Sequence, residues 1–193
     1  MVPQLASKDD VPSIVAIFRT CFSDDYFHAV FPPTATGDAY LTQAFTYFID
    51  PSQPGQIHVL KDESGLKSML LWFTENGPEK TQGWRGRGWP APYEGMSLDK
   101  IQEFYGAMDA QHDATMGGKK HVYIELIMTH PSARGQGHAS KLVRHVASVA
   151  DGRDVYLDAQ GHAIGLYERL GFKVVEGIKM SELMTPMVRS CHE

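Results

Sequence analysis

Apolar residues recur at helical spacing in three stretches of the first part of the chain. Within each stretch they are three or four positions apart, which places them on one face of an α-helix. Ser97 is a suitable N-cap for the third helix, and Gly117-Gly118 ends it. The predicted faces are Val11, Ile14, Val15, Phe18 and Phe22; Leu41, Ala44, Phe45 and Phe48; and Leu98, Ile101, Phe104, Tyr105 and Met108.

Strand-forming runs follow the second and third helices. Residues 56–60 and 66–73 flank Ser64-Gly65 and predict a hairpin. In the second half, an apolar stripe predicts a long helix over 139–150 and a shorter one over 163–170. The remaining predicted strands are 121–129, 155–159, 172–178 and 180–188.

The strand from His121 to Thr129 has a regular alternation. Side chains of successive strand residues point to opposite faces of a sheet. The two predicted faces are Val122, Ile124, Leu126 and Met128 on one side and Tyr123, Glu125, Ile127 and Thr129 on the other.

Two stretches lack a clear period. Residues 22–36 contain Pro32 and Pro33 among aromatic side chains, and residues 75–95 contain many glycines and prolines. The second stretch is longer than most connections in compact domains, which favours a lid or a wall over an ordinary turn. A mobile surface loop is the simpler alternative.

Composition excludes several classes of protein. The chain has 193 residues and 42% hydrophobic content, and it contains no apolar run near the roughly 20 residues that span a bilayer. A net charge of -5 lacks the basic excess of nucleic-acid binders. Cys21 and Cys191 have no metal-ligand spacing, and no basic, apolar leader begins the chain. We expect one domain over 1–193 in the cytoplasm, with no membrane or nucleic-acid partner.

A glycine-containing turn joins the strand 121–129 to the helix after it. Its sequence from His130 to Ala139 is H-P-S-A-R-G-Q-G-H-A. Unpaired N–H groups and the helix dipole favour an anion at such a helix N-terminus. Gly135 and Gly137 let a phosphate approach the backbone, although two glycines also suit a simple tight turn.

Two nucleotide-binding motifs compete for this turn. A P-loop is excluded because no Gly-Lys-Ser/Thr closes it, and a dinucleotide fingerprint fails at its third glycine, where Ser140 stands. Asp158 follows the turn at about the sequence separation of the ribose-binding acid in a dinucleotide fingerprint. The dinucleotide motif is therefore disfavoured but not fully excluded.

Two segments in order resemble signatures of the GNAT superfamily of N-acetyltransferases. R-G-Q-G-H-A, from Arg134 to Ala139, is similar to the family's R/Q-x-x-G-x-G/A. L-Y-E-R-L-G-F, from Leu166 to Phe172, is similar to its L-Y-x-x-x-G-F. The resemblance covers about 121–180 well. The first half is similar mainly in element order and resembles uncharacterised fungal members.

The resemblance implies an α/β (α+β) fold. We expect a mixed, mostly antiparallel sheet of about six to seven strands, flanked by helices and splayed between the strands near 121–129 and 154–159. The CoA-binding core is then about 121–180, and the acceptor-side loops are 22–36 and 75–95. Acetyl-CoA is the implied co-substrate. No metal is expected, because neither His130 nor His138, which flank the turn, has further ligands at metal-binding spacing.

The resemblance also assigns residues to acetyl-CoA. Backbone groups of the strand pair with pantetheine, one N–H near Ile127 polarises the thioester carbonyl, and the turn binds the pyrophosphate. The implied contacts are Ile127, Met128, Thr129, Arg134, Gly135, Gln136, Gly137, His138, Ala139, Ser140 and Tyr167.

Two catalytic residues are expected. Glu125 is the candidate general base because several family members carry one there, although a carboxylate among polar neighbours is often only an ion-pair partner. Tyr167 occupies the position of the family tyrosine that protonates the CoA sulfur, although a tyrosine at helical spacing is often core. The expected acceptor contacts are Asp25, Tyr26, Phe31, Trp84, Trp89, Glu125 and Asp158.

The sequence therefore predicts an acyltransferase that moves an acetyl group from acetyl-CoA directly to a small-molecule amine. Acetylation of a protein amine is one alternative. A non-catalytic CoA-binding sensor or regulatory module is another. We expect a monomer or a homodimer.

Overall fold

The computed structural model describes residues 1–77 and 83–192 of the chain. Within them, strands form one sheet and helices pack on both of its faces. The strands are β1 (Gln4–Leu5), β2 (Gly55–Asp62), β3 (Gly65–Glu75), β4 (His121–Thr129), β5 (Asp154–Gln160), β6 (Lys173–Val174) and β7 (Met184–Arg189). The α-helices are α1 (Val11–Cys21), α2 (Asp25–Val30), α3 (Ala35–Ile49), α4 (Gly83–Arg87), α5 (Leu98–Met116), α6 (His138–Ser148) and α7 (Ile164–Glu168).

The sheet has the order β1-β2-β3-β4-β5-β7-β6. Only β4 and β5 pair in parallel; every other neighbouring pair in the described sheet is antiparallel. A parallel pair needs a crossover, which α6 supplies. This arrangement confirms the predicted fold class.

Each face of the sheet carries its own hydrophobic core. The α5-side core is formed by α1, α2, α3 and α5 with the sheet, and it includes Tyr123 and Tyr156. The α6-side core is formed by α6 and α7 with the opposite face, and it includes Leu142 and Tyr167. Each large apolar side chain buried there contributes about 1.5–3 kcal/mol. No helix in the described ranges has the length and apolarity that crossing a membrane requires.

Several elements differ from the sequence prediction. The irregular stretch 22–36 contains α2, whose N-cap Asp24 accepts a hydrogen bond from the Phe27 N–H at 2.9 Å. The stretch 75–95 contains α4, and its residues 78–82 lie outside the described residues. The last two strands are shorter than predicted, at Lys173–Val174 and Met184–Arg189, because turns occupy much of the chain between them.

A β-bulge interrupts β4 at Glu125. Leu71 of β3 pairs with Leu126, and the next β3 residue, Trp72, pairs with Ile124, which leaves Glu125 without an opposite residue. Such an extra residue shifts the alternation of the strand by one. Val122 and Ile124 therefore pack in the α6-side core, whereas Leu126 and Met128 pack in the α5-side core. The predicted single face for these four residues was wrong.

Strands β4 and β5 separate directly before this bulge. Their parallel pairing covers His121 to Ile124 on β4 and Asp154 to Leu157 on β5, and it ends there. Beyond that point β5 remains paired with β7 as far as Gln160, and β4 remains paired with β3 as far as Thr129. The expected splay is thus present, with the gap opening after Ile124 and Leu157.

A buried histidine pair joins α5 to the start of β4. The Nε2 atoms of His112 and His121 are 2.6 Å apart, and His121 Nδ1 lies 2.9 Å from the carbonyl of Lys119. Because a carbonyl only accepts, His121 Nδ1 donates, and His121 Nε2 accepts from His112 Nε2. Burial lowers the pKa of His121 and lowers that of His112 to about 3. Both rings are therefore neutral at neutral pH.

We expect the free energy of unfolding to fall as the pH drops below 6.5, the ordinary pKa of histidine, towards the pKa of about 3 that His112 has in the fold. In that window the unfolded chain binds a proton that native His112 does not bind, so stability is lost as the pH falls. His112→Phe should reduce this slope. It should also cost about 1–3 kcal/mol at neutral pH, because His121 Nε2 loses its donor.

Urea denaturation at about pH 7.5 and about pH 5.5 measures both effects. The exposed residue His162 supplies the control, His162→Phe, which should retain the wild-type slope. An unchanged slope in His112→Phe would contradict the neutral pair.

Candidate active site

Backbone groups of β4 line the gap between β4 and β5. The His130 N–H donates to the Lys67 carbonyl at 2.9 Å, on the β3 side. Antiparallel strands alternate the direction of their backbone groups, so the groups of Met128 also face β3, and those of Ile127 and Thr129 face the gap. The backbone groups of Ile127 and Thr129 thus border the gap in which pantetheine is expected. Those of Met128 do not, and its side chain is buried in the α5-side core.

The turn before α6 presents free backbone N–H groups. Gly135 and Gly137 both have φ of 75°, in the left-handed region, and Gly137 is the N-cap of α6. None of the N–H groups of residues 135–140 donates to an acceptor in the described part of the chain. A Cβ atom at either glycine would meet nothing within 4 Å, so the space in front of the turn is open. The turn can therefore hold an anion.

The side chains around this turn contribute less than its backbone. Arg134 is exposed, and its Nε lies 3.4 Å from the Thr129 carbonyl. The Gln136 amide donates to the Ser132 carbonyl at 3.3 Å. His138 is turned inward and buried, and its Nε2 has no hydrogen-bond partner among the described residues. His138 can therefore contact a ligand at the turn through its backbone N–H, but not through its imidazole ring.

Tyr167 lies on α7 in the α6-side core. It is 4% exposed, and its ring centroid is 5.8 Å from that of Phe172. Its hydroxyl makes no hydrogen bond to a described residue, and burial raises its pKa. The hydroxyl is thus protonated at neutral pH and has a proton to donate.

Glu125, at the bulge, is enclosed by donors from Arg87, the last residue of α4, and from Trp89, two residues later. Arg87 Nε lies 3.0 Å from one carboxylate oxygen, and Trp89 Nε1 lies 2.8 Å from the other. Only 2% of the Glu125 side chain is exposed. Burial raises the pKa of Glu125, while Arg87 and the two hydrogen bonds oppose that shift. The expected base is therefore the partner in a buried ion pair.

Arg87 connects Glu125 to a second carboxylate. Its Nη2 lies 2.7 Å from Asp109 Oδ1 on α5, and Asp109 Oδ2 accepts the Trp84 N–H at 2.9 Å. The Nη1 atom of Arg87 is buried without a partner among the described residues. Sequence reasoning missed Arg87 and Asp109. In the chain, Arg87 lies 38 residues before Glu125 and 22 residues before Asp109. No local sequence pattern therefore marks either residue.

Asp158 follows directly after Leu157, the last β5 residue that pairs with β4. Its Oδ1 accepts from Gln111 Nε2 at 2.6 Å and from the Tyr156 hydroxyl at 2.8 Å. Its Oδ2 is buried and has no partner within the described ranges. Burial raises the pKa of Asp158 to about 6, against the effect of both hydrogen bonds. The structure thus brings Glu125 and Asp158 to the two sides of the gap where it begins.

The expected acceptor contacts outside the sheet are placed differently. Phe31, Trp84 and Trp89 are 2%, 3% and 5% exposed and pack in the α5-side core. Trp84 stacks on Tyr105 with centroids 5.1 Å apart. Their rings interlock with those of α5 and α3, which explains why they do not form an open wall. Asp25 is exposed at the start of α2, and Tyr26 beside it is partly buried.

No cluster of three or more metal-ligating side chains occurs in residues 1–77 and 83–192. The arrangement is instead a parallel strand pair that separates beside an anion-binding helix N-terminus. Such a site can hold an elongated ligand that has an anionic end. Acyltransferases that use CoA thioesters as donors are a class of protein with a site of this kind.

Comparisons with known proteins identify the family. The sequence profile of the acetyltransferase (GNAT) family matches residues 58–172. A peptidyl-lysine N-acetyltransferase, YjaB of Salmonella typhimurium, is 31% identical over 130 residues, which cover 65% of this chain and 88% of the relative. The chain therefore belongs to the acetyltransferase (GNAT) family. The predicted resemblance and the predicted acyltransferase class are confirmed.

Solved structures share the fold. A mosquito arylalkylamine N-acetyltransferase (like 5b) aligns with a TM-score of 0.66 at 12% identity over 97% of this chain and 98% of that chain. The PaiA N-acetyltransferase of Thermoplasma acidophilum, solved in complex with coenzyme A, aligns with a TM-score of 0.58 at 9% identity over 97% of each chain. At these identities the likeness concerns the fold alone.

Arg87→Met should destabilise the fold by about 3–5 kcal/mol, because it leaves the Glu125 carboxylate buried without its counter-ion. Chemical denaturation measures the loss. Arg85→Met is the matched control, since Arg85 lies on the same short helix but is exposed. It should change stability by at most about 1 kcal/mol, because its guanidinium lies over the Trp84 ring at 5.1 Å but is exposed to solvent. Equal effects of the two substitutions would show that the buried pair has no special importance.

Proposed function

We propose that this chain is an acetyl-CoA-dependent N-acetyltransferase that acetylates the amine of a small molecule by direct transfer. The observation that carries the proposal is the row of free N–H groups at residues 135–140, next to the gap between β4 and β5. A ligand with an anionic group and a long flexible arm fits this arrangement, because the N–H groups can bind the anion while the arm enters the gap.

The residues present fit CoA. The N–H groups of residues 135–140 would hold the pyrophosphate, and Arg134 would add a positive charge beside it. The gap-facing backbone groups of Ile127 and Thr129 would pair with the pantetheine arm. When bound, acetyl-CoA supplies a thioester, that is, an activated acyl group on a good leaving group.

The chain's own groups supply the remaining chemistry. A gap-facing N–H at Ile127 would polarise the acyl carbonyl. Tyr167 would donate a proton to the departing sulfur, from the α6 side of the sheet. On the α5 side, the three carboxylates of Glu125, Asp109 and Asp158 face one guanidinium, that of Arg87. This acidic excess favours a cationic amine as acceptor over a neutral hydroxyl compound.

A peptide lysine is the second candidate acceptor, and the specific observation in its favour is the activity named for the Salmonella relative. A lysine side chain is itself a slender primary amine, so the same site chemistry would suit it. The first test must therefore compare both kinds of amine.

The test is calorimetric titration of the chain with acetyl-CoA, followed by thiol-release assays with tryptamine, spermidine and a lysine-containing peptide. Binding with release on the free amines supports the proposal, and release only with the peptide would transfer it to protein amines. Binding without release on any amine would favour a sensor of CoA. Absence of binding would refute the proposal.

Gly137→Val should weaken CoA binding about 100-fold or more, because its side chain would stand where the pyrophosphate must approach the backbone. Calorimetry measures the affinity. Gly152→Val is the matched control, since Gly152 has φ of 70° and equally open space but lies in the turn before β5. Both variants should lose about 1–2 kcal/mol of stability through the left-handed backbone. Equal affinity in both would contradict the anion site.

Tyr167→Phe should lower kcat about tenfold or more and leave the dissociation constant of acetyl-CoA within about twofold, because only the proton donor is lost. The fold should tolerate the change, since the hydroxyl bonds no described residue. Steady-state kinetics and calorimetry on the same preparation separate the two effects. Unchanged kcat would exclude Tyr167 as the acid.

A further inference from the structure

We propose that Asp158, and not Glu125, accepts the proton of the acceptor amine, and that Glu125 is a positioning residue that fixes the bulge of β4. This inference rests on the proposed N-acetyltransferase function and assigns the proton acceptor within it.

The position of Asp158 is the first argument. Parallel pairing ends at Ile124 and Leu157, so Glu125 and Asp158 are the first residues beyond it on the two strands. A ligand that enters the gap meets these two carboxyl groups at its narrow end. Asp158 is held there on its other side, because β5 continues to pair with β7, where Pro186 is its partner.

Glu125 has little capacity for proton transfer. Both of its carboxylate oxygens already accept hydrogen bonds, from Arg87 and from Trp89. A proton on Glu125 would neutralise one of the two carboxylate partners of Arg87, whose side chain is 3% exposed. Neutralising one member of a buried ion pair is unfavourable, because the charge of the other member stays buried with less compensation. That cost would recur in every turnover, so the pair suits a fixed structural element.

Asp158 has the opposite arrangement. Gln111 and Tyr156 both donate to Oδ1, which fixes the orientation of the carboxyl group and leaves Oδ2 as its one unpartnered oxygen among the described residues. Buried polar atoms are seldom left without a partner, and those that are often belong to functional sites. Oδ2 is therefore the atom at which the proton is received.

The proton balance closes with groups already in place. The cationic amine first releases one proton to solvent and becomes neutral, and its nitrogen lone pair then forms the new C–N bond. A second N–H bond breaks as an O–H bond forms at Asp158 Oδ2. As the C–S bond breaks, its electron pair stays on sulfur, which takes a proton from Tyr167. Solvent then removes the proton from Asp158 and restores the one on Tyr167.

The pKa of Asp158 supports the assignment. At about 6, raised by burial, it makes the carboxylate a stronger base than an ordinary aspartate and still leaves it largely ionised at neutral pH. The groups that face it are Tyr156 on β5, Tyr123 and Glu125 on β4, Arg87 on α4 and the uncharged Gln111 on α5. Of these, Arg87 lowers the pKa of Asp158 and Glu125 raises it.

The first experiment compares Asp158→Asn with Glu125→Gln, using the best amine of the panel. Asp158→Asn should lower kcat about 100- to 1,000-fold and leave the affinity for acetyl-CoA within about twofold. Glu125→Gln should lower stability and raise KM, but it should retain the acidic limb of the pH profile. Asp154→Asn, at the paired end of the same strand, is the control and should retain wild-type kinetics.

The second experiment moves the pKa without removing the carboxyl group. Tyr156→Phe deletes a hydrogen bond that lowers the pKa of Asp158, so the pKa should rise. Because the base must be unprotonated, activity falls as the pH drops through this pKa, and the acidic limb of kcat/KM should shift to higher pH. Titration of ¹³C-labelled aspartate by NMR should show the same shift in a resonance that Asp158→Asn lacks.

The outcomes separate this inference from the function on which it rests. If the wild-type chain binds no acetyl-CoA, or transfers to no amine, both are overturned. If it transfers acetyl groups, but Asp158→Asn remains within about threefold of wild type and Glu125→Gln loses the acidic limb, the function stands and Glu125 is the base. Should Asp158→Asn fail to fold by circular dichroism, an unshifted limb in Tyr156→Phe would overturn the assignment.

Discussion

The buried ion pair between Arg87 and Glu125 is the interaction on which the site geometry depends. Glu125 is the extra residue of the β4 bulge, and the parallel pairing of β4 with β5 ends directly before it. A bulge bends a strand and increases its twist, which accounts for the separation of β4 from β5 at this point. Arg87 and Trp89 hold the Glu125 side chain on the α5 side, and Asp109 ties Arg87 to α5. The separation of β4 from β5 and the packing of α4 and Trp89 therefore depend on the same ion pair.

In the proposed site, the two faces of the sheet supply different groups to the gap. Tyr167 comes from the α6-side core, together with the turn that presents free N–H groups at the start of α6. Asp158 and Glu125 extend to the α5 side, where Gln111, Tyr156 and Arg87 contact them. In the proposed reaction, a proton leaves the amine on one face and another reaches the sulfur on the opposite face. The sheet separates these two transfers, so a single residue need not perform both.

Much of the site was predictable because its parts are local in sequence. The glycine turn lies within six residues, from Arg134 to Ala139, and its N–H groups are free because any helix leaves its first ones unpaired. The aromatic residues of the acceptor side were predicted less well. Phe31, Trp84 and Trp89 stand in irregular stretches that suggested an exposed wall, yet they pack against α5 and α3. An aromatic residue in a loop has the same local sequence signal whether it faces a ligand or fills a core.

The sequence by itself determined the long helices and strands, the glycine turn before α6 and the two family signatures, whose resemblance implied the mixed sheet. Each of these depends on periodicity or on residues close together in the chain. Only the tertiary structure decided that Glu125 is paired with Arg87 and that Asp158 has a free oxygen at the start of the gap. The alternation of apolar and polar residues identifies the two faces of a strand only while the strand pairs regularly with its neighbour. At Glu125 it does not, because the pairing of β4 with β3 shifts there by one residue. The partners of both carboxylates lie on distant elements, so their state follows from packing and cannot be read from neighbours in the sequence.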